Sequence, residues 1–220
     1  MKRLLVVGSS GHATSVLGVA HAMSGFEVVG LLDDFAAAGT AALGYAILGA
    51  VADAGTLCER LDVECLFVAI GDNFRRQQAS DRLAALLPTI PFATLAHPSA
   101  VIGRDAVLGA GTVVMPQAVV GPGCRIGAGC VLNTSSSLDH DGVLSDWASL
   151  APGVTAGGRV RVGARSFIGL GASLIQGISV GSDTVVGAGS LVLSDVGTGV
   201  VAYGSPCRAV RERQADEGYL

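Results

Sequence analysis

The chain has 220 residues, half of them apolar, which is enough to bury one large core or two modest ones. Its formal net charge of −4 argues against a nucleic acid or an anionic membrane surface as partner. No apolar stretch free of glycine and charge approaches the ~18 residues of a transmembrane helix, and five cysteines without metal-type spacing do not indicate a disulfide framework. We therefore expect a cytoplasmic protein.

The first part of the chain alternates strands and helices. Arg3–Val7 is predicted to be a strand, followed by a glycine turn, a helix over Ala13–Met23 and a second strand over Glu27–Leu32. This order is a βαβ unit and predicts a parallel sheet. The turn has the spacing Gly8-x-Ser10-x-x-Ala13, a degraded dinucleotide fingerprint, and the acidic pair that follows the second strand lies at about the expected distance.

A further strand is predicted over Cys65–Ile70, followed by a loop and a helix to about Leu87 with three arginines on its polar side: Arg75, Arg76 and Arg82. His97-Pro98 then marks a junction, so we divide the chain into domains at 1–96 and 97–220. The first domain is a short, half-Rossmann unit, which suits a mononucleotide better than a dinucleotide. A purely structural role for its glycine turn stays open.

The second part repeats every six residues. An apolar residue returns at each sixth position without a break: Ile102, Leu108, Val114, Val120, Ile126, Leu132, Leu138, Leu144, Leu150, Ala156, Val162, Ile168, Leu174, Val180, Val186 and Val192. Neither a helix nor a flat strand has this period, whereas a chain that turns through 120° after each hexad does. The pattern predicts a parallel β-helix with these side chains inside. Many of them are followed directly by glycine, which we interpret as a need for positive φ at tight corners.

His140 is the one histidine within the hexads. It lies two residues after the inward Leu138, at a predicted corner, and has acidic neighbours in Asp139 and Asp141. Carboxylates can orient an imidazole and stabilise its protonated form, as a general base requires. A surface histidine without function is the alternative from the residues alone.

Several motifs together carry a family resemblance: Gly8-x-x-Gly11-His12, Asp33-Asp34-Phe35, Gly71-Asp72-Asn73, His97-Pro98, Asn133–Ser136, His140-Asp141 and Gly204–Arg208. The chain resembles the bacterial nucleotide-sugar N-acetyltransferases that act on UDP-linked 4-amino sugars or GDP-perosamine, which are related to sialic-acid O-acetyltransferases. The resemblance implies a left-handed β-helix, a homotrimer, and acetyl-CoA bound in the groove between neighbouring coils. It implies direct N-acetylation of a sugar C4 amine for surface glycan or glycoprotein biosynthesis.

The resemblance also implies site residues. His140 would be the base, oriented by Asp141 where relatives usually have Glu, with Asn133 near the amine and the Gly158 N–H on the thioester oxygen. Ser149 replaces a second histidine of some members, so a contact to CoA or the sugar is expected to differ there, and Arg208 would lie near a CoA phosphate. The nucleotide-linked sugar would be held by the first domain: its phosphates by Gly8, Ser10, Gly11 and His12, its base or ribose by Asp33 or Asp34, and its sugar side by Asp72, Asn73 and Arg75.

Three other functions were compared with this one. A γ-type carbonic anhydrase uses the same coil but needs three zinc-binding histidines, which the hexads lack. A non-catalytic sugar-nucleotide-binding scaffold would release no CoA. A sialic-acid-type sugar O-acetyltransferase is the main alternative, and no metal cofactor is expected for it or for the N-acetyltransferase.

Overall fold

The computed structural model describes residues 1–218 and divides into two compact units, Met1–Leu95 and Ala96–Leu220. The first unit is an α/β domain. Its elements are β1 (Lys2–Val7), α1 (Gly11–Ala22), β2 (Phe26–Leu32), β3 (Ala41–Ala42), β4 (Tyr45–Gly49), a 3₁₀ turn (Val51–Asp53), α2 (Ala54–Arg60), β5 (Cys65–Val68) and α3 (Asn73–Leu86).

The sheet of this unit has the strand order β3-β4-β2-β1-β5. The neighbours β4, β2, β1 and β5 run parallel, so the predicted βαβ unit is confirmed, and β3 adds an antiparallel hairpin that the sequence did not reveal. Leu5, Leu32 and Leu66 are fully buried in its core. The carboxyl ends of β1, β2 and β5 meet at one edge, which is where ligands of open parallel sheets bind.

Strand β6 (Leu95–Ala96) includes the last residue of the first unit and the first of the second, which continues as a series of two-residue strands. These are β7 (Val101–Ile102), β8 (Val107–Leu108), β9 (Val113–Val114), β10 (Val119–Val120), β11 (Arg125–Ile126), β12 (Val131–Leu132), β13 (Ser137–Leu138), β14 (Val143–Leu144), β15 (Ser149–Leu150), β16 (Thr155–Ala156), β17 (Arg161–Val162), β18 (Phe167–Ile168), β19 (Ser173–Leu174), β20 (Ser179–Val180), β21 (Val185–Val186) and β22 (Leu191–Val192). A hairpin of β23 (Val200–Gly204) and β24 (Cys207–Glu212) follows.

From β7 to β19, each short strand pairs in parallel with the strand three places later, as Val120 does with Leu138. Each coil of three hexads therefore contributes one strand to each of three sheets. This is the predicted parallel β-helix. The repeated apolar residues are buried from Val114 onward, and each Val, Leu or Ile among them contributes ~1.5–3 kcal/mol of transfer free energy. Ile102 and Leu108 remain partly exposed because they lie in the first coil, below which no other hexad stacks.

The role that the sequence suggested for the glycines after the apolar residues is wrong. Positive φ occurs two positions later: every sixth residue from Asp105 to Gly189 has φ between 54° and 76°, and about half of these residues are not glycine. The glycines directly after the apolar residues are needed because the next coil is close. A Cβ at Gly121 would lie 2.7 Å from the carbonyl carbon of Asp139, and one at Gly163 would lie 2.6 Å from that of Gly181.

Candidate active site and nucleotide site

His140 and Asp141 form a pair at the turn that follows β13. The ring Nδ1 of His140 lies 2.9 Å from Oδ2 of Asp141, and both side chains are substantially exposed. Asp141 occupies a left-handed position with φ of 58°, which aspartate tolerates better than most residues. Asp139 is used differently, because its Oδ1 accepts a 2.7 Å hydrogen bond from the backbone N–H of His140. Of the two acids considered, Asp141 is therefore the one that contacts the ring.

Glycines of the coils above and below make room for this pair. The ring of His140 lies against Gly158, where a Cβ would come within 2.8 Å of Cε1 and closer still to Nε2. The carboxylate of Asp141 lies against Gly123, where a Cβ would be 2.8 Å from Oδ1. With Nδ1 facing the carboxylate, the contact favours the tautomer in which Nδ1 carries the proton and Nε2 can accept one.

The backbone of Gly158 adds a hydrogen-bond donor beside the ring. Its carbonyl accepts from the N–H of Gly177 at 2.9 Å, whereas its own N–H has no acceptor among residues 1–218. An unused N–H beside a potential base can stabilise an oxygen on which negative charge develops. The arrangement therefore suits removal of a proton together with attack on a carbonyl group.

The other predicted residues of this unit lie elsewhere on it. Asn133 is in the turn after β12, one corner of the coil before His140, and its Oδ1 accepts from the backbone N–H of Thr134 at 2.9 Å. Ser149 is buried in β15. Arg208 is exposed in the terminal hairpin, and its Nη1 donates to the carbonyl of Cys207 at 2.8 Å. Within a single coil, one flat side of the three-sided β-helix thus separates Asn133 from His140.

In the first unit, the glycine turn leads into α1 as predicted. Gly8 has φ of 107°, and a Cβ there would lie 2.9 Å from the carbonyl oxygen of Ala69. Ser10 is the N-cap residue of α1, but its side chain makes no capping hydrogen bond, and the first turn, which begins at Gly11, contains no acidic residue. The N–H groups at this helix start are suited to bind a phosphate.

His12 lies beside the end of β5, and its environment keeps the ring neutral. Burial and the nearby positive charge of Arg76 lower the pKa of His12 to about 4. Its Nε2 is buried without a hydrogen-bond partner among residues 1–218. A buried polar atom with no partner in the protein is a candidate ligand contact. His12 can therefore offer a ligand a neutral hydrogen-bonding group.

The acidic pair after β2 is largely occupied by contacts within the protein. Asp33 accepts hydrogen bonds from the Ser9 hydroxyl at 2.6 Å and from the N–H of Phe35 at 2.8 Å. Burial raises the pKa of Asp33, but these hydrogen bonds outweigh that effect, and the pKa lies below its ordinary value. Asp34 accepts from the N–H of Val51 at 2.8 Å and pairs with Arg82 at 3.4 Å.

The loop after β5 corrects one sequence-based prediction. Arg76 is 1% exposed and does not lie on the polar side of α3. Its guanidinium donates to the carbonyls of Ile70 and Gly71 at 3.0 Å and to Oδ1 of the buried Asn73 at 2.7 Å, so its burial is compensated. Asp72 caps α3 by accepting from the N–H of Arg75 at 2.9 Å, and the Arg75 side chain is exposed.

Comparisons with known proteins agree with this two-part architecture. The family described as PglD N-terminal domain matches residues 3–83, and two hexapeptide families, bacterial transferase hexapeptide and hexapeptide repeat of succinyl-transferase, match residues 99–134 and 159–194. PerB from Caulobacter crescentus, solved with CoA and GDP-perosamine, is 32% identical; the alignment covers 96% of this chain and 98% of PerB, with a TM-score of 0.88. The chain belongs to the nucleotide-sugar N-acetyltransferase family.

A second structure of this N-acetyltransferase family agrees. The acetyltransferase domain of PglB from Neisseria gonorrhoeae FA1090, solved with acetyl coenzyme A, is 31% identical, covers 95% of this chain and 99% of that domain, and has a TM-score of 0.86. The predicted left-handed β-helix is thereby confirmed. Among curated proteins, galactoside O-acetyltransferase from Escherichia coli K12 is 40% identical over 53 residues. The chain matches only about a quarter of the length of such curated relatives.

Two contributions to the candidate sites, one in each unit, were not foreseen from the sequence. One is Gly123, whose hydrogen lies against Asp141, and the other is Arg76, which shapes the loop beside His12. A spacing of 18 residues from Asp141 could have indicated Gly123, because 18 residues make one coil. Within residues 1–218 no cluster of three or more His, Cys, Asp or Glu could hold a metal ion, and no helix there is long and apolar enough to cross a membrane.

Proposed function

We propose that this protein transfers the acetyl group of acetyl-CoA directly to the C4 amine of a nucleotide-linked amino sugar, with His140 as general base. The observation that carries the proposal is the His140 ring, held by Asp141 through Nδ1 and lying against Gly158, whose own N–H has no acceptor among residues 1–218. In support, PerB was solved with CoA and GDP-perosamine, and the PglB domain with acetyl coenzyme A.

The chemistry follows from the properties of the two reactants. A sugar amine is mostly protonated at neutral pH and becomes a nucleophile only when it loses a proton. In the proposed step the nitrogen forms a bond to the thioester carbonyl carbon, Nε2 of His140 takes the proton, and the Gly158 N–H stabilises the oxygen that gains charge. The carbonyl then re-forms as the carbon–sulfur bond breaks, and CoA leaves as the thiol with the proton that His140 took from the amine. No protein nucleophile carries the acetyl group.

The nucleotide end of the substrate is assigned to the first unit. We place its phosphates at the start of α1, with Gly8, Ser10, Gly11 and His12 as contacts, because that helix start lacks a side-chain cap. Asp72 and Arg75 would border the sugar nucleotide, with Arg75 supplying the exposed charge, whereas Asn73 is 1% exposed and supports the loop by accepting from Arg76. The carboxylates of Asp33 and Asp34 act mainly by fixing the loop after β2, since both accept hydrogen bonds from the protein.

We also propose that the active form is a homotrimer in which CoA lies between neighbouring coils and Arg208 approaches its phosphates. Asn133 and His140 lie at successive corners of one coil, so a shared substrate requires the corner of a second copy. Co-expression of Asn133→Ala and His140→Ala subunits tests this arrangement. Activity above that of either variant is expected, and no gain would contradict it.

The decisive test of the transfer itself is CoA release, measured with a thiol reagent. UDP-, GDP- and dTDP-linked 4-amino sugars are offered beside free sialic acid, because the match to a galactoside O-acetyltransferase keeps sugar O-acetylation as the second candidate. We expect turnover only with a nucleotide-linked amine, and a fall in kcat of ~10²–10⁴-fold for His140→Ala. Turnover with sialic acid alone would favour the second candidate, and an unchanged rate for the variant would remove His140 as base.

The proposed setting is the cytoplasm, in a route to a surface glycan or glycoprotein. All five cysteines are free thiols and all are buried, which suits a reducing compartment.

A further inference from the structure

Phe35 is a large apolar side chain that the fold leaves almost completely in water. It is 96% exposed, although it lies in the middle of the first unit's chain and not at a terminus. Single exposed apolar residues are common on protein surfaces. This one is unusual because of where its loop holds it.

The loop that carries Phe35 is fixed by hydrogen bonds. Oδ1 of Asp33 accepts from the N–H of Phe35 at 2.8 Å and from the N–H of Ala36 at 3.2 Å. Oδ2 of the same carboxylate accepts from the Ser9 hydroxyl at 2.6 Å, which ties the loop to the glycine turn after β1. The backbone that presents the Phe35 ring is therefore held in place next to the proposed phosphate site.

The position of the loop is that of a nucleoside-binding element. It follows the carboxyl end of β2, beside the carboxyl end of β1, where open parallel sheets bind the ribose and base of nucleotides. An acidic residue usually contacts the nucleoside there, but both acids of this loop already have partners in the protein. Asp33 accepts from Ser9 and from backbone N–H groups, and Asp34 contacts Val51 and Arg82. The exposed group that follows them is the phenyl ring.

We propose that Phe35 stacks on the base of the bound nucleotide and supplies most of the affinity that depends on the base. This inference rests on the proposed function, since it takes the ligand to be a nucleotide-linked sugar. Stacking on an aromatic face accepts any base, because every base has a π face. Phe35 would therefore strengthen nucleotide binding without itself selecting uracil, guanine or thymine.

The test is calorimetric titration with UDP, GDP, dTDP and inorganic pyrophosphate, in the absence of acetyl-CoA. For Phe35→Ala we expect the nucleotide that the wild type binds best to bind about 5- to 30-fold more weakly, with no change for pyrophosphate. Phe35→Tyr keeps an aromatic face and should bind within about twofold of the wild type. The matched control is Leu86→Ala, which removes an exposed apolar side chain at the far end of α3.

Steady-state kinetics give a second readout with the sugar nucleotide that the panel identifies. KM should rise with the loss of nucleotide affinity, while kcat stays within about twofold, because Phe35 does not take part in the transfer. An unchanged affinity in Phe35→Ala, an equal loss for pyrophosphate, or no binding of any nucleotide by the wild type would overturn the inference. A base-dependent loss without any acetyl transfer by the wild type would instead support stacking and refute the proposed function.

Discussion

A methyl group on Gly158 should disable His140 without unfolding the coil. In Gly158→Ala the new Cβ would lie 2.8 Å from Cε1 and 2.9 Å from Cδ2 of His140. Ordinary contact between such atoms begins near ~3.4 Å, so the ring has to withdraw by about 0.6 Å or more. The backbone of Gly158 is not in the left-handed region, and the clash is with the end of a side chain, which can rotate away.

The expected consequence is kinetic. A displacement of about 1 Å at a reacting group can cost ~10²-fold in rate, so kcat for CoA release should fall by roughly 10- to 100-fold. Because alanine keeps the backbone N–H, the loss would reflect displacement of the ring and not removal of the proposed oxyanion donor. The assay is CoA release at saturating substrate, with melting temperature as the check on folding. Gly197→Ala is the matched control, since a Cβ there meets nothing within 4 Å.

A double variant with Gly158→Ala and His140→Ala shows whether the methyl group on residue 158 acts through His140. If the methyl group acts only by displacing the ring, Gly158→Ala should have little further effect in a His140→Ala background. Wild-type turnover in Gly158→Ala would refute the reasoning, as would two independent and additive losses in the double variant.

Three other predictions test separate parts of the structure. Asp141→Asn should lower kcat by about 10- to 100-fold, because Asp141 contacts the ring and asparagine tolerates the same positive φ. Asp139→Asn should change kcat less than about threefold, because Asp139 contacts only the backbone N–H of His140. Equal effects of the two substitutions on kcat would contradict this reasoning. Because the pKa of His12 is lowered to about 4 in the folded protein, the unfolded state binds the proton first as the pH falls, and the free energy of unfolding decreases between about pH 6.5 and pH 4. Urea unfolding at pH 7 and 4.5 should show this decrease to be about 2 kcal/mol smaller in His12→Asn than in the wild type. An equal decrease in the two proteins would argue against a buried neutral ring. Gly163→Ala should cost about 1–3 kcal/mol by clashing with the backbone of the next coil, more than Gly171→Ala, whose site is open but has φ of 63°. The reverse order of melting temperatures would refute the close approach of the next coil as the reason for glycine after the apolar residues.

The β-helix could be predicted because its periodicity is local and unbroken. An apolar residue every sixth position has one geometric solution, and the observed register of 18 residues between paired strands follows from it. The reason for the glycines could not be read in the same way. A sequence shows that glycine follows an apolar residue, but the closeness of the next coil at Gly121 is a property of stacking 18 residues away.

The proposed nucleotide site was less accessible to prediction, because contacts between distant segments determine what its side chains do. Asp33 was expected to contact the nucleoside, yet its partner Ser9 lies 24 positions earlier in the chain. Arg76 was expected on a polar surface, whereas the carbonyls of Ile70 and Gly71 and the side chain of Asn73 compensate its burial. Residue type and helical spacing alone do not reveal such partners.

The stacking of coils also explains how the proposed catalytic pair, His140 and Asp141, can be added to this fold at little structural cost. At the stacked turns the N–H of Asp141 donates to the carbonyl of Pro122, and the N–H of Arg159 donates to the carbonyl of His140. These backbone hydrogen bonds do not depend on which side chains the turns carry. The side chains of His140 and Asp141 point away from the packed interior and need only empty space beside them, which Gly158 and Gly123 provide. In a hexapeptide helix, the residues 18 positions before and after a candidate catalytic residue are therefore as much part of the site as its neighbours in sequence.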